Sequence, residues 1–158
     1  MGAGKSTLGK VVASNLGWPY FDNDFEMTAR FGFSQKELAA MPVSELHQLE
    51  SRYLSDILTE DAPLISGAAA SVVDYPENRE LLQANAAIYL HIPLSAVIER
   101  AGTSGVGRQA ILEGGESILA ERYARRDPLY REVAKATIDL TNNPHTDAER
   151  LQKLINNL

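Results

Sequence analysis

Just after its first three residues the chain reads Gly4-Lys5-Ser6-Thr7, and an apolar stripe at helical spacing, Leu8, Val11, Val12 and Leu16, follows at once. No other feature constrains the fold as strongly. Glycine ahead of a helix lets backbone N–H groups come close to an anion, and the helix N-terminus adds partial positive charge. Lys5 then reaches toward β- and γ-phosphates, and the Ser6 hydroxyl is a ligand for Mg²⁺. The string is the second half of G-x-x-x-x-G-K-[ST], with Gly2, Ala3, Gly4 and Thr7 completing a loop for the phosphates of ATP. Taken alone, the same four residues also occur by chance at a helix start. The first glycine of the motif, and the strand that feeds such a loop, fall ahead of Met1. The pattern therefore predicts an upstream apolar strand, a glycine two positions before Met1, and poor stability of residues 1–158 without them.

The rest of the chain alternates short apolar runs with helical text. Strands are expected at Pro19–Phe21, Pro63–Ser66, Ala86–Ile92 and Ala136–Leu140. Helices are expected at Lys5–Leu16, ended by Gly17, from a Ser34/Glu37 capping box, and from Pro42 to about Leu58. Others follow an Asp74/Glu77 cap, run from Pro93 to about Ala101, cover Glu116–Ala134 in two pieces, and follow a Thr146/Glu149 cap. Such alternation implies an α/β domain, a parallel sheet with helices on both faces. Residues 1–158 read as one domain. The stretch from Gly102 to Gly115 holds five glycines and reads as a lid over about 102–116.

Composition narrows the chemistry. Hydrophobic residues are 44% of the chain, enough for a core. The net charge of -6 argues against a nucleic-acid surface and leaves room for a local phosphate cradle. Without cysteine, disulfides, Cys-ligated zinc and thiol catalysis are excluded. No apolar run reaches the roughly 18 residues of a membrane span, and no signal peptide is evident. A cytoplasmic monomer acting on a small molecule is expected.

A second motif, Phe21-Asp22-Asn23-Asp24, ends the second strand of the expected order. In open α/β sheets the ligand crevice lies at that end. Asp22 is a candidate for holding Mg²⁺ through water, and Asp24 for accepting a proton from the attacking hydroxyl. The alternative is a turn with capping aspartates.

Together these motifs resemble the shikimate kinase family. So do Arg126-x-Pro128-Leu129-Tyr130-x-Glu132-Val133-Ala134 and Asp74-x-Pro76-Glu77-Asn78-Arg79, and the likeness runs over nearly the whole chain. The resemblance implies a P-loop NTPase three-layer sandwich with strand order 2-3-1-4-5, whose first strand is absent here. It implies transfer of phosphate from ATP to shikimate, a step of aromatic amino-acid biosynthesis. By resemblance, Lys5, Ser6 and Thr7 serve phosphate and magnesium, and Asp24 binds the shikimate hydroxyls. Arg126 grips the substrate carboxylate and Arg108 is the lid arginine. Arg100 and Pro144 lie where the family contacts adenine.

Two departures touch the acceptor side. Counting back from Glu50, His47 stands where the family carries an arginine. A guanidinium offers a planar charged fork, whereas an imidazole offers one or two donors. His47 is otherwise an exposed helix residue with no role. Ala68, Ala69 and Ala70 replace three glycines of the substrate loop, adding methyls and resisting φ > 0. Two further readings stay open: a kinase of another small polyol or acid, and a non-catalytic domain sensing a small carboxylate. The basic cluster Arg122, Arg125, Arg126 reads as a solvated helix face apart from Arg126, and the histidines have no metal-ligand spacing.

Overall fold

The computed structural model describes residues 3–104 and 108–158, the side chains of 102–104 and 108–114 excepted. Helix α1 spans Lys5–Leu16. It starts at Gly4, whose φ of 84° suits only glycine without strain, and stops where Gly17 turns left-handed at φ 69°. Leu8, Gly9, Val12 and Ala13 form its buried face, while Val11 is 43% exposed and leaves the expected stripe.

Strand β1 covers Tyr20–Asp22 and pairs in parallel with β2, Ile65–Gly67, Tyr20 facing Ile65 and Asp22 facing Gly67. Strand β3, Ile88–His91, pairs in parallel with β4, Ala136–Asp139. Among the described residues these are two ladders of two strands each, β1-β2 and β3-β4. They are joined through side chains. The cluster around Leu8 and Val12 gathers Ile65 from one ladder and Ile88, Leu90 and Ile138 from the other.

Between the strands lie α2 (Asn23–Phe31), α3 (Gln35–Ala40), α4 (Val43–Ile57) and α5 (Pro76–Gln83). Then come α6 (Leu94–Ser104), α7 (Arg108–Val133) and α8 (Pro144–Ile155). The period-2 alternation of strand side chains sorts these helices into layers. Ile88 and Leu90 pack toward α1 and α8, while Tyr89 and His91 turn toward Tyr130 and Tyr123 of α7. Along β1, Tyr20 meets Gly9 of α1 and Phe21 joins Met27, Tyr53 and Ile57 of α2 and α4. Helices thus cover both faces of each ladder.

Of three capped helix starts expected from the sequence, one forms as read and two differ. The Ser34/Glu37 capping box forms. The Asp74/Glu77 cap does not: Tyr75 occupies the N-cap of α5, and the Asp74 carboxylate is committed to Arg126 and Arg125. α8 begins before Thr146, because Asn143 Oδ1 accepts the Thr146 N–H at 3.2 Å and Pro144 fits the first turn.

The glycine-rich stretch is helical on both sides of 105–107, and the two pieces expected over 116–134 are one helix, with Pro128 inside. Packing outweighs local propensity here. Leu119, fully buried, seals against Ala101 with Ile98 and Ile118 beside them. Gly115, at φ 69°, marks where the long helix departs from ideal geometry.

Gly9 shows how closely α1 approaches β1. A Cβ there would lie 2.3 Å from Tyr20 Cε2. Tyr20 has little freedom to yield, since its hydroxyl donates to Asp22 Oδ2 at 3.0 Å. Gly9→Ala is expected to cost about 1–3 kcal/mol, the range for overpacking a tight contact. Chemical denaturation reads this directly, and an unchanged midpoint would mean that α1 and β1 are farther apart.

Candidate active site

Gly4 places the first turn of α1 so that Lys5, Ser6 and Thr7 open it. Ala3, 8% exposed, packs on Ile92, Ala96 and Val97, which ties the loop to the junction of β3 and α6. Gly2 and the side chain of Arg108 lie outside the described residues.

Asp22, the last residue of β1, stands beside Ser6. Its Oδ1 accepts the Asp24 N–H at 3.2 Å, and so caps α2, while Oδ2 accepts from Tyr20. Burial pushes this carboxyl up. The Ser6 and Tyr20 hydroxyls, the Asp24 N–H and the charge of Lys10 outweigh burial and hold it below the usual carboxylate range. The capping reading of Asp22 is therefore seen in the structure, and an ionised carboxylate next to a hydroxyl is also a donor pair of the hard kind that Mg²⁺ takes. Tyr20 is pushed the other way, first by burial and then by Asp22, so it stays a phenol. Asp24 is exposed at the start of α2, with Asn23 Nδ2 donating to its Oδ1 at 3.2 Å.

On the acceptor side, α4 presents His47 and, one turn later, Glu50. His47 Nδ1 lies 3.0 Å from the Tyr75 hydroxyl, with the rings edge to face. Glu50 accepts from the Ser71 hydroxyl; burial raises its carboxyl, and the charge of Asp24 adds to the rise. Its charge also meets those of His47 and Arg126, so these four groups share one region.

Arg126, from α7, is 8% exposed. Its Nε donates to both oxygens of Asp74 at 3.1 Å, and Nη2 donates to Oδ2 at 2.5 Å. Arg125, expected to face only solvent, also donates to Asp74 Oδ2 at 3.2 Å. Burial raises the Asp74 carboxyl, but Arg126, Arg125 and His47 together hold it below its usual range.

The alanine loop takes ordinary backbone angles, since among the described non-glycine residues Asn142 has the positive φ. Ala68 and Ala69 pack against the cluster of Leu54, Val72, Val73 and Val133. Ala70 O accepts from the Tyr130 hydroxyl at 2.7 Å, which ties the loop to α7, and burial pushes that phenol up to about 12. Ala3, ahead of α1, lines one cavity together with Arg126 and Tyr130 of α7.

Arg100 is brought to the turn that leads into Pro144. Arg100 Nη2 donates to Asn142 Oδ1 at 2.5 Å, two residues before Pro144 opens α8. Asp74, Tyr75, Glu50 and Ser71 were not among the candidates read from the sequence. Glu50 served there as a landmark. Asp74 carried a misleading signal, because Asp74-x-Pro76-Glu77 imitates a helix cap with proline in the first turn.

A G-K-S-T turn at a helix start, facing carboxylates at the end of a parallel strand, defines a P-loop phosphotransferase. The family model for shikimate kinase matches residues 1–157. The chain belongs to the shikimate kinase family. It is 30% identical over 158 residues to shikimate kinase of Neisseria gonorrhoeae, covering 98% of this chain and 91% of that one. It is 33% identical over 144 residues to shikimate kinase of Halorhodospira halophila, covering 89% and 80%. A solved structure of shikimate kinase from Acinetobacter baumannii in complex with shikimate superposes with a TM-score of 0.83 at 26% identity, covering 99% of this chain and 89% of that one. Among the described residues no helix is long and apolar enough to cross a membrane.

Proposed function

We propose that this chain transfers the γ-phosphoryl group of ATP to a hydroxyl of shikimate, as a cytoplasmic monomer. The observation that carries the reading is Asp22 at the end of β1, beside the Ser6 hydroxyl of α1 and accepting the Asp24 N–H, with Asp24 in turn within electrostatic reach of Glu50. The N–H groups of Gly2 to Gly4 and the start of α1 cradle the phosphates, with Lys5 on the β- and γ-oxygens and Thr7 beside them. Arg108 covers the transferred group, and Arg100 and Pro144 flank the adenine. Ser6, and Asp22 through water, would hold Mg²⁺, which when bound would neutralise phosphate charge.

Asp24 orients the attacking hydroxyl and takes its proton as the new O–P bond forms and ADP leaves. Arg126 and His47 face the acceptor carboxylate, and the backbone of Ala68–Ala70 forms the wall beneath the ring. The test is ADP release by the protein, scanned across shikimate and related polyols and acids. Release that depends on shikimate is the expected result; release with another polyol and none with shikimate would overturn the acceptor. That second acceptor reading is favoured by one feature, the commitment of His47 and Arg126 to Tyr75 and Asp74.

His47→Arg is expected to tighten shikimate binding by about 1–3 kcal/mol, since an always-charged fork replaces an imidazole already engaged by Tyr75. Calorimetric titration checks this. Unchanged or weaker binding would remove position 47 from the carboxylate site.

A further inference from the structure

Asp74 and Arg126 make the most complete charge pair at the acceptor site, and the reaction as described does not use Asp74. The pair is built in. Asp74 closes a 3₁₀ turn over Val72–Asp74, its N–H donating to Ser71 O at 2.9 Å. Val72 and Val73 are 3% and 1% exposed, and Arg79 Nη1 donates to Val73 O at 2.9 Å. The turn is therefore held on both sides. The side chains of Asp74 and Arg126 are 18% and 10% exposed, so the contact is largely shielded from water.

A guanidinium presents its donors in a rigid plane, and one edge fits one carboxylate bidentately. The Nε/Nη2 edge of Arg126 is filled by Asp74. Arg125 is directed at the same carboxylate. Glu50 and Asp24 add acidic groups nearby, and His47 adds an imidazole whose Nδ1 faces Tyr75. A carboxylate entering with the acceptor must displace Asp74 or settle for the other edge of the fork.

We propose that Asp74 sets the acceptor selectivity of this site, competing with the acceptor's own carboxylate for Arg126. The proposal rests on Arg126 facing that carboxylate. Asp74 thereby lowers the advantage of an anionic acceptor over an uncharged one of the same shape, without touching the reacting hydroxyl. It is a positioning residue that acts through Arg126.

The experiment compares binding of shikimate and of its uncharged methyl ester by calorimetry, at fixed ATP analogue. Asp74→Asn frees the fork and is expected to tighten shikimate by about 10-fold while leaving the ester unchanged, the scale of one charge-assisted hydrogen bond. Asp74→Glu restores the wild-type ratio, and in an Arg126→Ala background Asp74→Asn no longer shifts it. Asp74→Ser, with a hydroxyl still available to the turn, gives the same shift and guards against misfolding of one variant. Equal changes for both ligands, or no change in their ratio, overturn the proposal. ADP release by the wild-type protein at saturating shikimate is measured alongside. Its absence would sink the kinase reading, whereas the binding ratio judges Asp74.

Discussion

Lys5→Ala is expected to lower phosphoryl transfer by on the order of 10²–10³-fold, the usual cost of removing one preorganised charge-stabilising donor. Lys5 opens α1 behind Gly4, and in the proposed mechanism the helix N-terminus and the ammonium would act on the same phosphate oxygens. The buried face of α1 is made by Leu8, Gly9, Val12 and Ala13, so truncating Lys5 removes no core contact. The unfolding free energy should change by no more than the ordinary range for a surface substitution, about 0.5 kcal/mol. Steady-state ADP release and thermal unfolding, run on the same preparation, check both halves. Undiminished turnover would reject the role given to Lys5.

The second large effect is expected at Asp24. Asp24→Asn should cut kcat by about 10²–10⁴-fold, the range for a positioned general base, with ATP affinity held. The substitution is conservative for the fold. The Asp24 N–H that Asp22 accepts belongs to the backbone, and an asparagine Oδ1 can still accept from Asn23 Nδ2. What changes is the ability to take a proton. The comparison that decides is kcat against the dissociation constant for nucleotide. If the two fall together, Asp24 serves the metal and Asp22 serves only as the cap of α2.

The two halves of the site differ in how far they could be read in advance. The donor half is written in neighbouring residues. Gly4 to Thr7 form one turn, Asp22 to Asp24 form another, and each chemistry follows from local backbone geometry. The strands were legible to within a residue or two at most ends, because β-period and flanking prolines and glycines are local signals. Boundaries slipped where a distant partner decided. Asp74 was read as a cap and found as an ion-pair partner, because Arg126, 52 residues away, offers a charged fork worth more than a backbone N–H. The lid over about 102–116 was read from glycine content; 105–107 and the side chains of 102–104 and 108–114 lie outside the described residues, and α6 and α7 are helical on either side, with Leu119 packed against Ala101.

By itself, then, the sequence determined the class of fold, the phosphate loop and the carboxylates facing it, since each depends on residues within a turn of one another. It also carried the two acceptor-side departures, His47 and Ala68–Ala70, as plain differences in residue type. Only the tertiary structure decided what those residues face. Tyr75 meets His47 across 28 positions, Ala70 meets Tyr130 across 60, and Asp74 meets Arg126 across 52. Such partners are chosen by packing of α4, α5 and α7 around a shared core, and no local pattern in the chain encodes that choice.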